Sequence, residues 1–193
     1  NVSGATLEIT QGTFTDNRAA GVIRGTAGAI ANDGGSTLVL DHSNFTGNQA
    51  TTSLGAGPGI QGNALSGAVV NAGGSQATVV HSTFTGNLAR GGSGADGGLG
   101  QNGGNAGNGV GGAIGNEGTS LLVPFASSTM TVAHSSFVGN RAIGGTGGNG
   151  GAGGNGGTLG GVGVASPGGA INNGSSILTV SHSMFDGNQA LGV

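Results

Sequence analysis

Four histidines are the side chains in this sequence whose type and spacing could do chemistry. His42, His81, His134 and His182 each stand three residues before a phenylalanine, at Phe45, Phe84, Phe137 and Phe185. Imidazoles recurring at one position of a repeat can line up as a metal-binding or pH-sensitive column. The plainer expectation is a corner residue that hydrogen-bonds its own turn with the adjacent Ser43, Ser82, Ser135 and Ser183, because the neighbouring positions repeat just as strictly. No metal site is assigned from the sequence; these four histidines are its only candidates, and no cofactor is expected.

Carboxylate chemistry is harder to build. Cleaving a glycosidic bond takes two carboxylates facing it, or carboxylates holding Ca²⁺ beside a base. The acidic residues are Glu8, Asp16, Asp33, Asp41, Asp96, Glu117 and Asp186, and they fall at different places of the repeat described below. Asp33 and Glu117 share a place but stand two copies apart, roughly 10 Å at strand spacing. There is no Lys to act as a base and no Tyr or Trp to make a sugar platform. Gly91–Asp96 reads GGSGAD, the opening of a calcium-binding nonapeptide, but the apolar residue arrives one position late, at Leu99. A non-enzymatic protein is expected, with a polysaccharide-active β-helix enzyme as the minor alternative. Four scattered Arg make no basic stripe, which argues against a nucleic-acid partner. No apolar run approaches the length of a membrane-spanning helix, so no membrane insertion is expected.

The elements that position these residues are repeats. Aligned on phenylalanine, five segments match: TLEITQGTFTDNRA, TLVLDHSNFTGNQA, QATVVHSTFTGNLA, TMTVAHSSFVGNRA and ILTVSHSMFDGNQA. They carry Phe14, Phe45, Phe84, Phe137 and Phe185, and three residues later Asn17, Asn48, Asn87, Asn140 and Asn188. Four are preceded by GAIAN, GAVVN, GAIGN or GAINN, ending on Asn32, Asn71, Asn116 and Asn173; Asn1 holds the matching place in the first copy. Within each copy apolar residues sit two apart, as at Leu38 and Leu40, with mostly Thr between, which is strand periodicity with one buried face. No segment has a helical period and no hairpin chemistry recurs. Three short strands per copy, stacked in parallel, are therefore predicted: a right-handed parallel β-helix of about five coils forming one domain over residues 1–193. The phenylalanines would stack on one another, and the two asparagine columns would form ladders that satisfy backbone groups at the corners.

Glycine makes up 49 of the 193 residues and concentrates in loops at one corner. These loops lengthen along the chain, from residues 20–27 to 51–66, 90–111 and 143–168. The last two run largely in Gly-Gly-x triplets, a period that matches a threefold extended helix of the polyproline type. Loops leaving one corner of adjacent coils are expected to stack into an ordered flap. The fourth copy also carries an insertion containing Pro124 and Phe125.

The motifs GGA-[IV]-x-N and L-x-V-x-x-S-x-F-x-x-N resemble the β-helix repeats of polymorphic outer-membrane proteins and adhesins, and of Gly-rich bacterial surface proteins. The resemblance covers everything except the loops. It implies a chain that is extracellular or on the cell surface, adhesive or structural, and not an enzyme. The chain's ends show no capping pattern, and the last copy's unfinished turn is in phase with the first copy's missing strand. The ends are therefore expected to pair in neighbouring molecules, with Asn1, Leu7 and Ile9 on one face and Leu178, Val180 and Val193 on the other, giving a head-to-tail homopolymer. The alternative is an adhesin fragment that binds a surface or host ligand through its glycine loops.

Overall fold

A computed structural model describes residues 1–22, 24–54, 62–118, 126–157 and 168–192. Among these residues every regular element is a β-strand, and no helix is long and apolar enough to cross a membrane. The predicted insertion around Pro124 and Phe125 and the terminal Val193 lie outside the described residues, as do parts of the loops 51–66 and 143–168.

Each copy contributes one strand to each of several parallel sheets, the arrangement of a parallel β-helix or solenoid. The longest strands, Thr6–Thr10, Thr37–Asp41, Gln76–Val80, Thr129–Ala133 and Ile177–Ser181, lie side by side in copy order. They pair without slippage, Leu38 beside Leu7 and Ala77, and Leu40 beside Ile9 and Val79. A phenylalanine sheet follows, formed by Thr13–Thr15, Asn44–Thr46, Thr83–Thr85, Ser136–Val138 and Met184–Asp186. An asparagine sheet holds Ile30–Asn32, Val69–Ala72, Ile114–Glu117 and Ile171–Gly174. These three sheets correspond to the predicted strands.

Two further parallel sheets were not predicted. One joins Arg18–Gly21, Gln49–Thr52, Leu88–Arg90, Arg141–Ile143 and Gln189–Leu191. The other joins Arg24–Thr26, Asn63–Leu65 and Gly109–Val110. The inward residue that recurs in the first is alanine, at Ala50, Ala89 and Ala142, too small and in strands too short for a period of two to stand out.

Leu38, Leu40, Phe45, Val79, Phe84, Ile114, Val132 and Phe137 are fully buried and form one continuous core. The phenylalanine rings stack at 4.7, 4.7, 4.8 and 4.9 Å with tilts of 5° or less. Aromatic rings left to themselves adopt both offset-parallel and edge-to-face contacts over a range of separations. The near-parallel column therefore follows from the roughly 4.8 Å spacing of the strands that carry it. Backbone pairing sets the geometry, and the rings fill it.

The sharp corners are held by side chains. Asn17, Asn48, Asn87, Asn140 and Asn188 form a ladder in which each Nδ2 donates to the next Oδ1 at 2.8–3.0 Å. Each of the first four also donates its own backbone N–H to that same next Oδ1. A second ladder runs Asn1, Asn32, Asn71, Asn116 and Asn173 at 2.7–2.8 Å. Serine makes a third: the backbone N–H groups of Gly12, Ser43, Ser82 and Ser135 donate to Ser43, Ser82, Ser135 and Ser183 Oγ at 3.0–3.2 Å.

Asn87 shows how much one rung carries. Its Oδ1 accepts from the N–H and Nδ2 of Asn48, while its own Nδ2 donates to the Phe45 carbonyl and to Asn140. Replacing it with Leu keeps the volume and removes all four bonds. Each buried group so stranded costs about 1–3 kcal/mol. Asn87→Leu is expected to lower the urea midpoint far more than Asn17→Leu, whose site is exposed. Equal shifts for the two variants would contradict a buried ladder as the stabilising element.

Candidate functional site

The four histidines stand at the turn between the long strands and the phenylalanine sheet. Each has a left-handed backbone, with φ of 48° at His42, 47° at His81, 49° at His134 and 46° at His182; Gln11 takes the same place and conformation in the first copy. The next residue, serine, anchors the turn: Ser43, Ser82, Ser135 and Ser183 each donate Oγ–H to the carbonyl of the residue before the histidine. The serine hydroxyls thus bond their own turn, and the imidazoles project from it. They stack on one another, with centroids 4.6, 5.4 and 4.8 Å apart from His42 to His182.

One carboxylate joins this column. Asp41 Oδ1 lies 2.7 Å from His42 Nδ1 and 3.1 Å from His81 Nδ1. The hydrogen bond from His81, followed by the bond from His42 and both rings' charge, holds the Asp41 carboxyl below its ordinary value despite some desolvation. The equivalent residues in the other copies are Thr10, Val80, Ala133 and Ser181, none of them acidic. The participation of Asp41 was missed in the sequence. Its signal is the Asp-His pair at 41–42 read together with the histidine one copy later.

Other acidic groups are engaged elsewhere. Asp96 Oδ1 accepts from the backbone and side-chain amides of Asn149 at 2.8 and 3.2 Å. That carboxylate of the GGSGAD segment thus ties one glycine-rich segment to the next. Glu117 ends a strand of the asparagine sheet, with its Oε1 accepting from Asn172 Nδ2 at 2.7 Å.

The arginines, dispersed in the sequence, are gathered by the fold. Arg18, Arg90 and Arg141 all lie exposed on the sheet of Arg18–Gly21 and its partners, where Leu88 pairs with both Gln49 and Arg141, and Gln49 with Arg18. Arg18, Gln49, Thr51, Ser53 and Arg90 line an open groove of about 520 Å³ on this face.

The glycine-rich segments are hydrogen-bonded to each other at every third residue. Gly94, Gly97, Gly100 and Gly103 donate their N–H to the carbonyls of Thr146, Asn149, Ala152 and Asn155 at 2.7–2.8 Å. A Cβ added at Gly94, Gly148 or Gly151 would meet neighbouring backbone oxygen at 1.9–2.0 Å, so the close approach requires glycine there.

The last-copy assembly candidates sit on an open face. Val180, whose counterparts Leu40, Val79 and Val132 are fully buried, is 42% exposed, and Phe185 is 46% exposed. Leu178 is half-buried, as are Leu7, Ile9 and Asn1 on the opposite face.

Burial raises the Glu117 carboxyl above its ordinary value of 4.5, opposed by the Asn172 hydrogen bond and the Arg24 charge. A raised carboxyl pKa means that folding disfavours the anion. The penalty is absent at pH values below 4.5, where the group is neutral in both states, and is complete above the folded-state pKa. Glu117→Gln, which keeps an acceptor for Asn172, is expected to stabilise the chain at pH 7 relative to wild type and to have little effect at pH 3.5. Urea midpoints at the two pH values check this; a destabilised variant at pH 7 would show that the anion is favoured.

Compared with family models, with curated proteins and with solved structures, the chain matches none.

Proposed function

We propose that this chain is a non-enzymatic, extracellular structural protein, a right-handed β-solenoid of five coils that assembles head to tail into a fibre. Its glycine-rich segments form a polyglycine-II-like flap at one corner. The surface location rests on the resemblance of the repeat motifs to outer-membrane and adhesin β-helices. A chain that is only 6% charged also favours a form in which much of its surface is covered.

The observation that carries the reading is the complementarity of the two open faces. On the long-strand sheet, Thr37 N–H donates to the Ala5 carbonyl and Gln11 N–H to the Asp41 carbonyl. By the alternation of strand backbone groups, Thr6, Glu8 and Thr10 then direct theirs to the open side. At the far end Ile177 N–H donates back to the Ser128 carbonyl. The same alternation leaves Leu178 and Val180 with outward groups. A second molecule placed beyond Ile177–Ser181 continues the pattern of donors and acceptors already present between every pair of copies. It also covers Val180 and Phe185, both exposed, at about 1.5–3 kcal/mol for each large side chain fully buried. A contact between unlike faces does not close on itself, which is the condition for a filament.

A second reading, a surface adhesin, is favoured by the groove between Arg18 and Arg90 and by the flap beside it. Negative-stain electron microscopy of the native chain separates the two. Long uniform fibres are expected, and Glu8→Pro, which removes an outward N–H and leaves the internal ladder intact, is expected to reduce them to short particles with an unchanged circular-dichroism spectrum. Single short particles from the wild-type chain at high concentration would overturn the assembly reading in favour of the adhesin.

A further inference from the structure

We propose that Asp41, His42 and His81 form a binding site for one borderline divalent transition-metal ion, of the Zn²⁺ class, which clips together two neighbouring copies of the repeat. One ligand atom from each of the three residues lies within 4.8 Å of the other two, and Asp41 Oδ1 is in contact with the Nδ1 of both rings. In a tetrahedral zinc site, bonds of about 2.0–2.2 Å put neighbouring ligand atoms roughly 3.3–3.5 Å apart. The two oxygen–nitrogen distances of 2.7 and 3.1 Å are already close to that spacing. Only the two imidazoles have to tilt toward each other, which their exposure permits.

The donor set selects the kind of ion. Two imidazoles and one carboxylate suit Zn²⁺, Ni²⁺ or Cu²⁺. Ca²⁺ takes six to eight oxygens and Mg²⁺ an octahedron of them, and this corner offers a single carboxylate. Both rings are about half exposed, with side chains 57% and 49% accessible, so the remaining coordination positions open to water. The carboxylate also decides the position and number of sites. His134 and His182 stack in the same column, yet the residues before His81, His134 and His182 are Val80, Ala133 and Ser181. One site per chain follows, at the second and third copies.

The resting state is arranged for exchange. An ionised Asp41 can only accept, so its two contacts are hydrogen bonds when each ring is in the tautomer with Nδ1–H. On binding, each neutral ring gives up its Nδ1 proton to solvent and takes one up on Nε2, so that the Nδ1 lone pair faces the ion and the net proton count is unchanged. The left-handed corner and the serine anchor fix the backbone that carries both rings before the ion arrives, so the ordering that opposes binding is confined to the side chains.

The test uses the untagged full chain, freed of metal with chelator and titrated with zinc chloride by calorimetry at pH 7.5. One equivalent is expected to bind. His81→Ala and Asp41→Asn, the latter nearly isosteric, are each expected to weaken binding by more than about tenfold, the scale on which even supporting contacts of metal ligands act. His182→Ala, on the same column, is expected to bind as the wild type does, and circular dichroism confirms that each variant is folded. No binding at millimolar zinc would overturn the proposal. So would equal weakening by His182→Ala, which would make the interaction a property of the column and not of this site.

Discussion

A stack of parallel strands must turn sharply between sheets, and at each turn the backbone presents N–H and C=O groups that neither sheet can pair. Burying such a group unpaired costs about as much as a hydrogen bond contributes, and the tight corners recur from copy to copy. This chain answers with side chains that reach from one copy to the next. Asn48, Asn87 and Asn140 pair both with one another and with the backbone. Asn32, Asn71 and Asn116 do the same at another corner, each also donating to a strand carbonyl of the following copy. The serine column serves the third. Because each amide is donor and acceptor at once, it fits only when its equivalents stand directly above and below.

That requirement explains features that otherwise look unrelated. It fixes the register of the long strands, so leucine, isoleucine and valine fall in line. It also lines the phenylalanine rings up in one near-parallel column. The same spacing brings four imidazoles into a stack and sets Asp41 between two of them. Among the described residues Asn17 and Asn188 are the outermost rungs of their ladder, and Val180 and Phe185 are exposed where their counterparts are buried. The proposed assembly and the proposed metal site are both consequences of one periodicity.

Most of the fold was legible because the repeat is written in the residues that do the work. Phe, Asn and Ala recur at fixed offsets, and a period of two around Leu38 and Leu40 marks the strands. The sheet around Gln49–Thr52 was not legible, because its strands are three or four residues long and their recurring inward residue is alanine. The histidine column was visible, but its role was not. A repeat suggests that the positions are equivalent, whereas the chemistry depends on Asp41, the one residue that breaks the equivalence. The arginine face was hidden for a similar reason. Arg18, Arg90 and Arg141 are far apart in sequence, and the sheet that unites them was the one not predicted. Glu117 was read by its place in the repeat alone; its burial and its bond to Asn172 depend on packing between copies.

The claim on which this account turns is that the asparagine ladder holds adjacent copies in register. Native-state hydrogen exchange measures it at single residues. The backbone amides of Asn48, Asn87 and Asn140, which donate to the next asparagine's Oδ1 and not to a strand carbonyl, are expected to exchange only through global unfolding, as slowly as the strand amides around Leu38 and Val79. Exchange at those corners as fast as in the glycine-rich segments would contradict the account, because it would show that the corners open while the sheets stay closed.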